Sequence, residues 1–158
     1  TQGGRVIRQL MERIPTGRPS WNSAMRSAAV EVLDSKRWVK GPKGKAFGEA
    51  FAKHSGALKA HPCQNGSSSL WAALRIAGIG PGDEVIVPSY TFISTATCIE
   101  LVGATTVFVD VEPDYFCLDV DSVRQAITPS TKAVIGVHLF GQPYAPELIE
   151  LCLSLIHI

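Results

Sequence analysis

From Asn65 onward the chain alternates two kinds of apolar pattern, and this rhythm limits its folds more than any single residue. Segments such as Glu84-Val85-Ile86-Val87 and Ala133-Val134-Ile135-Gly136-Val137 are almost continuously apolar, whereas Leu70, Ala73, Leu74 and Ala77 recur at helical spacing. A strand apolar on both sides of its pleat must be covered on both faces, which is the condition of a parallel sheet crossed by helices. The rhythm predicts helix 67–77, strand 84–88, helix 92–102, strand 105–110, helix 119–127, strand 132–138 and helix 144–151. The fold class is therefore α/β, a mainly parallel sheet flanked by helices. With 46% apolar residues in 158, the chain can fill a sizeable core. Ligands of such sheets sit outside the carboxyl ends of the strands, where Asn65, Pro88 to Phe92, Asp110 and His138 to Gly141 fall.

The chain before Asn65 is less regular. Residues 1–21, rich in Gly, Arg and Pro, are expected to form an arm. Met25, Ala28, Ala29, Val32 and Leu33 mark an amphipathic helix over 22–36, followed by a turn-rich loop, Trp38 to Gly44, that holds a large aromatic. A second helix over about 45–55 places Phe47, Ala50 and Phe51 on one face and stops at Gly56. Residues 58–63 read as a short strand.

Asn65-Gly66-Ser67-Ser68-Ser69-Leu70 is a turn into a helix, with three hydroxyls on the first turn. Unpaired backbone N–H groups and the positive end of the helix dipole favour an anion there, and serine hydroxyls can add hydrogen bonds to phosphate oxygens. The alternative is that Ser67 or a neighbour serves only to cap the helix, and the hexapeptide alone leaves both readings open. Phe92, just after a strand in Ser89-Tyr90-Thr91-Phe92-Ile93-Ser94-Thr95, offers either a flat face for a planar ring or an ordinary core aromatic. Thr91, Ser94 and Thr95 are either ligand-facing hydroxyls or helix caps.

Several classes of function are disfavoured. A net charge of +1, from 15 basic and 14 acidic residues spread along the chain, presents no basic face for nucleic acid or a membrane surface. Cys63, Cys98, Cys117 and Cys152 are irregularly spaced without zinc-type pairing and read as reduced thiols of a cytoplasmic protein. No apolar run approaches the roughly 18 residues of a membrane span. Gly78-Ile79-Gly80-Pro81-Gly82 resembles a dinucleotide fingerprint, but it follows a helix, precedes a strand and continues with Asp83, so it reads as a helix C-cap and turn. Asp110 and His138 read as turn and backbone-satisfied residues rather than proton carriers. Asp114, Asp119 and Asp121 lack the glycine and terminal glutamate of a calcium loop, and no metal site is expected. The serines lack a nucleophile elbow, which argues against a hydrolase.

Seven blocks in order closely resemble the DegT/DnrJ/EryC1/StrS family: Asn65 to Leu70, Gly80 to Pro88, Tyr90-Thr91-Phe92, Val102-Gly103-Ala104, Phe108 to Val111, Ile127 to Ala133 and Val137 to Pro143. The loop from Trp38 to Pro42 resembles the family's loop near the active-site rim. The resemblance implies a fold type I large domain, here its N-terminal part over residues 22–152, that uses pyridoxal 5'-phosphate. It implies an aminotransferase acting on a keto sugar nucleotide or keto cyclitol with glutamate or glutamine as amino donor, homodimeric when full length. Gly66, Ser67 and Ser68 would hold the cofactor phosphate, and Phe92 would stack on the pyridine ring. The lysine that forms the Schiff base and the aspartate that pairs with the pyridinium nitrogen belong to motifs further along than this chain reaches, so no catalytic residue is assigned here. Lys36, Lys40, Lys43, Lys45, Lys53, Lys59 and Lys132 do not match that lysine's motif. Two alternatives stand beside the aminotransferase: a sugar dehydratase of the same family, with histidine replacing the lysine, and a non-catalytic regulatory or binding member. The ending Leu153 to Ile158 departs from the family and resembles translated adapter read-through.

Overall fold

The computed structural model describes Gly17 and residues 19–154, which divide into two compact units between Pro62 and Cys63. The expected arm over residues 1–21 falls mostly outside the described residues, as does the end of the expected tail, 155–158; Leu153 and Ser154 continue the last helix.

The first unit holds two helices, α1 (Ser23–Asp34) and α2 (Pro42–Ser55). Asn22 starts α1 by accepting the Met25 N–H on its side-chain oxygen at 2.9 Å. Helix α2 begins three residues earlier than the periodicity predicts, because Pro42 can occupy a first-turn position whose N–H has no helical acceptor. It ends where expected, at Gly56 in the left-handed region (φ 70°). The strand expected over 58–63 is absent; the segment is irregular and passes beside α2. A Cβ at Gly48 would lie 2.8 Å from the Ala60 carbonyl oxygen, so the segment's backbone lies against the helix at a position that has no side chain. The described part of this unit contains no strand for it to pair with.

The second unit is the α/β body. Its elements are α3 (Gly66–Ile76), β1 (Glu84–Pro88), α4 (Ser94–Val102), β2 (Thr105–Val109), α5 (Val120–Ala126), β3 (Thr131–Val134) and α6 (Glu147–Ser154), with a 3-10 turn at Leu139–Gly141. The strands form a parallel sheet in the order β2-β1-β3. The pleat of β1 explains its unbroken apolar run. Val85 and Val87 pack with Leu74, Cys98, Ile99 and Val102 of α3 and α4, while Ile86 packs with Val123, Leu148 and Leu151 of α5 and α6. All three β1 side chains are fully buried, and each such burial stabilises the fold by about 1.5–3 kcal/mol.

Two boundaries differ for stated reasons. Strand β3 stops at Val134 rather than 138. After the Ile135 N–H bonds the Ile86 carbonyl at 2.9 Å, the next bond of the parallel ladder would need an N–H on Pro88, which has none. Helix α6 starts at Glu147 rather than 144, since Ala145 precedes Pro146 and is biased away from helical geometry. The Gly78–Gly82 segment is the turn expected from its position after a helix, with Gly78 and Gly82 at φ 77° and 92°.

Candidate functional site

Helix α3 runs into β1 through that turn, which brings its start to the carboxyl end of the sheet. Asn65 is extended (φ −165°, ψ 171°), and its side-chain oxygen accepts the Ser68 N–H at 2.9 Å. The cap is therefore Asn65, and the serines are left for other work. Ser69 turns its hydroxyl back onto the Gly66 carbonyl at 2.8 Å. Ser67 Oγ lies 2.6 Å from Ser94 Oγ at the start of α4. The half-buried Ser68 hydroxyl has no partner among the described residues, and neither do the backbone N–H groups of Gly66 and Ser67. No acidic residue lies in the first turn, and a Cβ added to Gly66 would meet nothing within 4 Å. The helix start thus presents uncompensated donors and a positive dipole end to open space, a geometry suited to a phosphate.

Phe92 sits in the bend between β1 and α4, two residues before Ser94, and is 73% exposed. Its ring is not packed into either hydrophobic cluster of the described residues. Thr95 is buried and shares a 3.1 Å hydroxyl contact with Thr91, so these two fix the bend that carries Phe92. All four residues singled out from the sequence, Gly66, Ser67, Ser68 and Phe92, fall at the adjoining starts of α3 and α4.

Asp110 and His138 stay outside this cluster of hydroxyls. Asp110 accepts the following Val111 N–H at 2.8 Å, and His138 rests its ring 4.5 Å from that of Tyr144 rather than bonding the backbone. Asp119 caps α5 through the Ser122 N–H at 2.8 Å, and the Ser122 side chain and N–H hold its carboxyl below the ordinary range.

The sequence reading missed Glu112. Burial pushes its carboxyl up, but the N–H groups of Tyr115, Cys117 and Asp114, at 2.8–3.1 Å, outweigh that and hold it below the ordinary range. This clamp closes the loop after β2, whose Phe116 is held at φ 60° with its ring edge-on to Tyr90 at 5.8 Å. The visible signal was Glu112-Pro113-Asp114, with proline at a position favoured in turns.

A concavity of about 1290 Å³ lies in the first unit, lined by Trp38, Lys40, Lys43, Lys53 and Lys59 among others. None of the four expected site residues lines it. The donor geometry at α3, rather than the size of that open space, identifies the candidate site.

The architecture is that of the large domain of fold type I pyridoxal-phosphate-dependent transferases. In its PMP form, a Streptococcus pneumoniae protein assigned as a sugar aminotransferase superposes with TM-score 0.83 at 34% identity, over 87% of this chain and 35% of that one. A GDP-4-keto-6-deoxymannose-3-dehydratase with a trapped PLP-glutamate geminal diamine also matches with TM-score 0.83, at 28% identity over 92% and 39% of the two chains. The UDP-N-acetyl-3-dehydro-alpha-D-glucosamine 3-aminotransferase of Acidithiobacillus ferrooxidans is 45% identical over 113 residues, 72% of this chain and 31% of that protein. The chain belongs to the DegT/DnrJ/EryC1/StrS aminotransferase family, whose model matches residues 19–152. It spans about a third of the length of the curated relatives it matches. Among the described residues no helix is long and apolar enough to cross a membrane.

Proposed function

We propose that this chain is the N-terminal part of a cytoplasmic, homodimeric pyridoxal-phosphate-dependent aminotransferase that acts on a keto sugar nucleotide or keto cyclitol with glutamate or glutamine as amino donor. The observation that carries the reading is the start of α3, where the Gly66 and Ser67 N–H groups and the Ser68 hydroxyl face open space with no carboxylate in the first turn. These groups fit a phosphate dianion, and family membership supports the identity of the group that bears it. When bound, pyridoxal phosphate supplies an electron sink for the carbon that gains or loses the amino group. Gly66 and Ser67 would bind the phosphate through backbone N–H groups, and Ser68 would add its hydroxyl. Phe92, exposed at the mouth of the same helix pair, would cover one face of the ring and set its plane. A sugar dehydratase remains the second reading, supported by the dehydratase among the similar structures.

In the full-length protein, Ser68→Ala removes a charge-assisted hydrogen bond of roughly 1.5–3 kcal/mol, so the cofactor dissociation constant rises by about tenfold or more. An unchanged constant would reduce Ser68 to a helix-surface residue. Phe92→Leu weakens cofactor binding by on the order of 1 kcal/mol and shifts the bound cofactor's absorption, with apo stability nearly unchanged. Lower apo stability with unaltered affinity and spectrum would reject the stacking role.

A further inference from the structure

Ser94 is 8% exposed and lies in the first turn of α4, yet its hydroxyl does not cap that helix. The N-cap position, Ile93, has no side-chain cap bond, and the hydroxyl partner of Ser94 is Ser67 Oγ, 2.6 Å away on a different helix and 27 residues earlier in the chain. A buried polar side chain joining two helix starts is an orientation device, because the low local dielectric strengthens the bond and the packing of α4 restricts its rotamers.

We propose that Ser94 is a positioning residue of the anion site: its hydroxyl donates to Ser67 Oγ, so that the Ser67 proton points at the phosphate. This rests on the reading of the α3 start as the cofactor phosphate site. The proton count decides the direction. Each hydroxyl carries one proton and can accept as well as donate. If Ser67 gave its proton to Ser94, its lone pairs would face the dianion. If Ser94 donates, Ser67 accepts from behind and donates forward, and each bond in the chain polarises the next. The Gly66 and Ser67 N–H groups and the Ser67 and Ser68 hydroxyls then converge as four donors on one anion, with Ser94 acting through Ser67 and touching no ligand itself.

The test is a double-mutant cycle in the full-length protein, read by pyridoxal 5'-phosphate titration, the 31P chemical shift of the bound phosphate and thermal melting of the apo form. Ser67→Ala should weaken binding by about tenfold and Ser94→Ala by about threefold to tenfold. Because Ser94 acts only through Ser67, the double variant should bind within about twofold of Ser67→Ala. The 31P signal should move in Ser94→Ala. A purely structural serine would lower the apo melting temperature and leave the phosphate signal in place, and that result overturns the proposal. Full additivity of the two losses also overturns it. If Ser67→Ala weakens binding while Ser94→Ala leaves affinity and signal unchanged, the positioning role is wrong and the phosphate site stands. If neither Ser67→Ala nor Ser68→Ala alters affinity, the phosphate-site reading itself has failed. Should Ser94→Ala give no folded apo protein, the near-isosteric pair Ser94→Thr and Ser94→Val makes the same comparison: the hydroxyl-bearing variant should bind at least about threefold more tightly, and equal affinities overturn the proposal.

Discussion

Strand β1 and helix α1 are both rich in apolar residues and meet opposite environments. Val85, Ile86 and Val87 are fully buried, enclosed by α3 and α4 on one face of the sheet and by α5 and α6 on the other. Helix α1 has no buried residue, and its Met25, Val30 and Leu33 are 56%, 47% and 60% exposed. The second unit therefore supplies its own cover, and the described part of the first leaves α1 without a buried residue. An apolar stripe shows which residues share a face; only a packed neighbour turns that face into stability.

The contrast can be broken most sharply at Ile86. In the full-length protein Ile86→Ala should cost about 2–5 kcal/mol in urea unfolding, since the cavity would open in a strand held from both faces. A loss under about 1 kcal/mol would mean that the sheet's second face is not the packed layer described. A smaller effect concerns the polar clamps that close the same body. Asp119→Ala should cost about 1 kcal/mol through the lost cap of α5. Glu112 and Asp119 both have depressed carboxyl pKa values in the fold. Their stabilisation is thus complete above the unfolded carboxylate range of about 4 and is lost as pH falls through the depressed values. Unfolding followed between about pH 5 and pH 2 should show this loss of stability, and Glu112→Gln should flatten part of it. An identical acid profile in that variant would remove Glu112 from the account. The smallest effect belongs to α1: Leu33→Ala should change stability by within about 0.5 kcal/mol. A loss of about 2 kcal/mol would show that a surface outside the described residues buries this helix, and the contrast between the units would then belong to this segment alone.

Much of the second unit was legible in the sequence because its local signals agree with its tertiary packing. Strand 84–88 has the expected bounds, the Gly78 turn and the Gly56 stop have the expected left-handed backbone, and Asn65 opens the helix at the expected turn. The failures share a cause. Residues 58–63 carry strand-like character, but their backbone lies against Gly48 of α2, and the described part of the first unit holds no strand for them to pair with. Strand β3 is cut short by a missing donor on a different strand, at Pro88, which no pattern within residues 132–138 can reveal.

At the candidate site the same division holds. The sequence alone determined that a glycine and three serines begin a helix at the carboxyl end of a parallel sheet, because turn chemistry and periodicity are local. It also determined the family, because the order and spacing of seven blocks are linear properties. Tertiary structure decided which hydroxyls remain available: Asn65 takes the cap, Ser69 bonds its own helix, Ser67 meets Ser94, and Ser68 is left over. It also decided that Phe92 is exposed and that Glu112 clamps the loop bearing Phe116 beside Tyr90. Those outcomes depend on distances between residues remote in sequence or on competition for one donor, and neither is set until the helices have packed on the sheet.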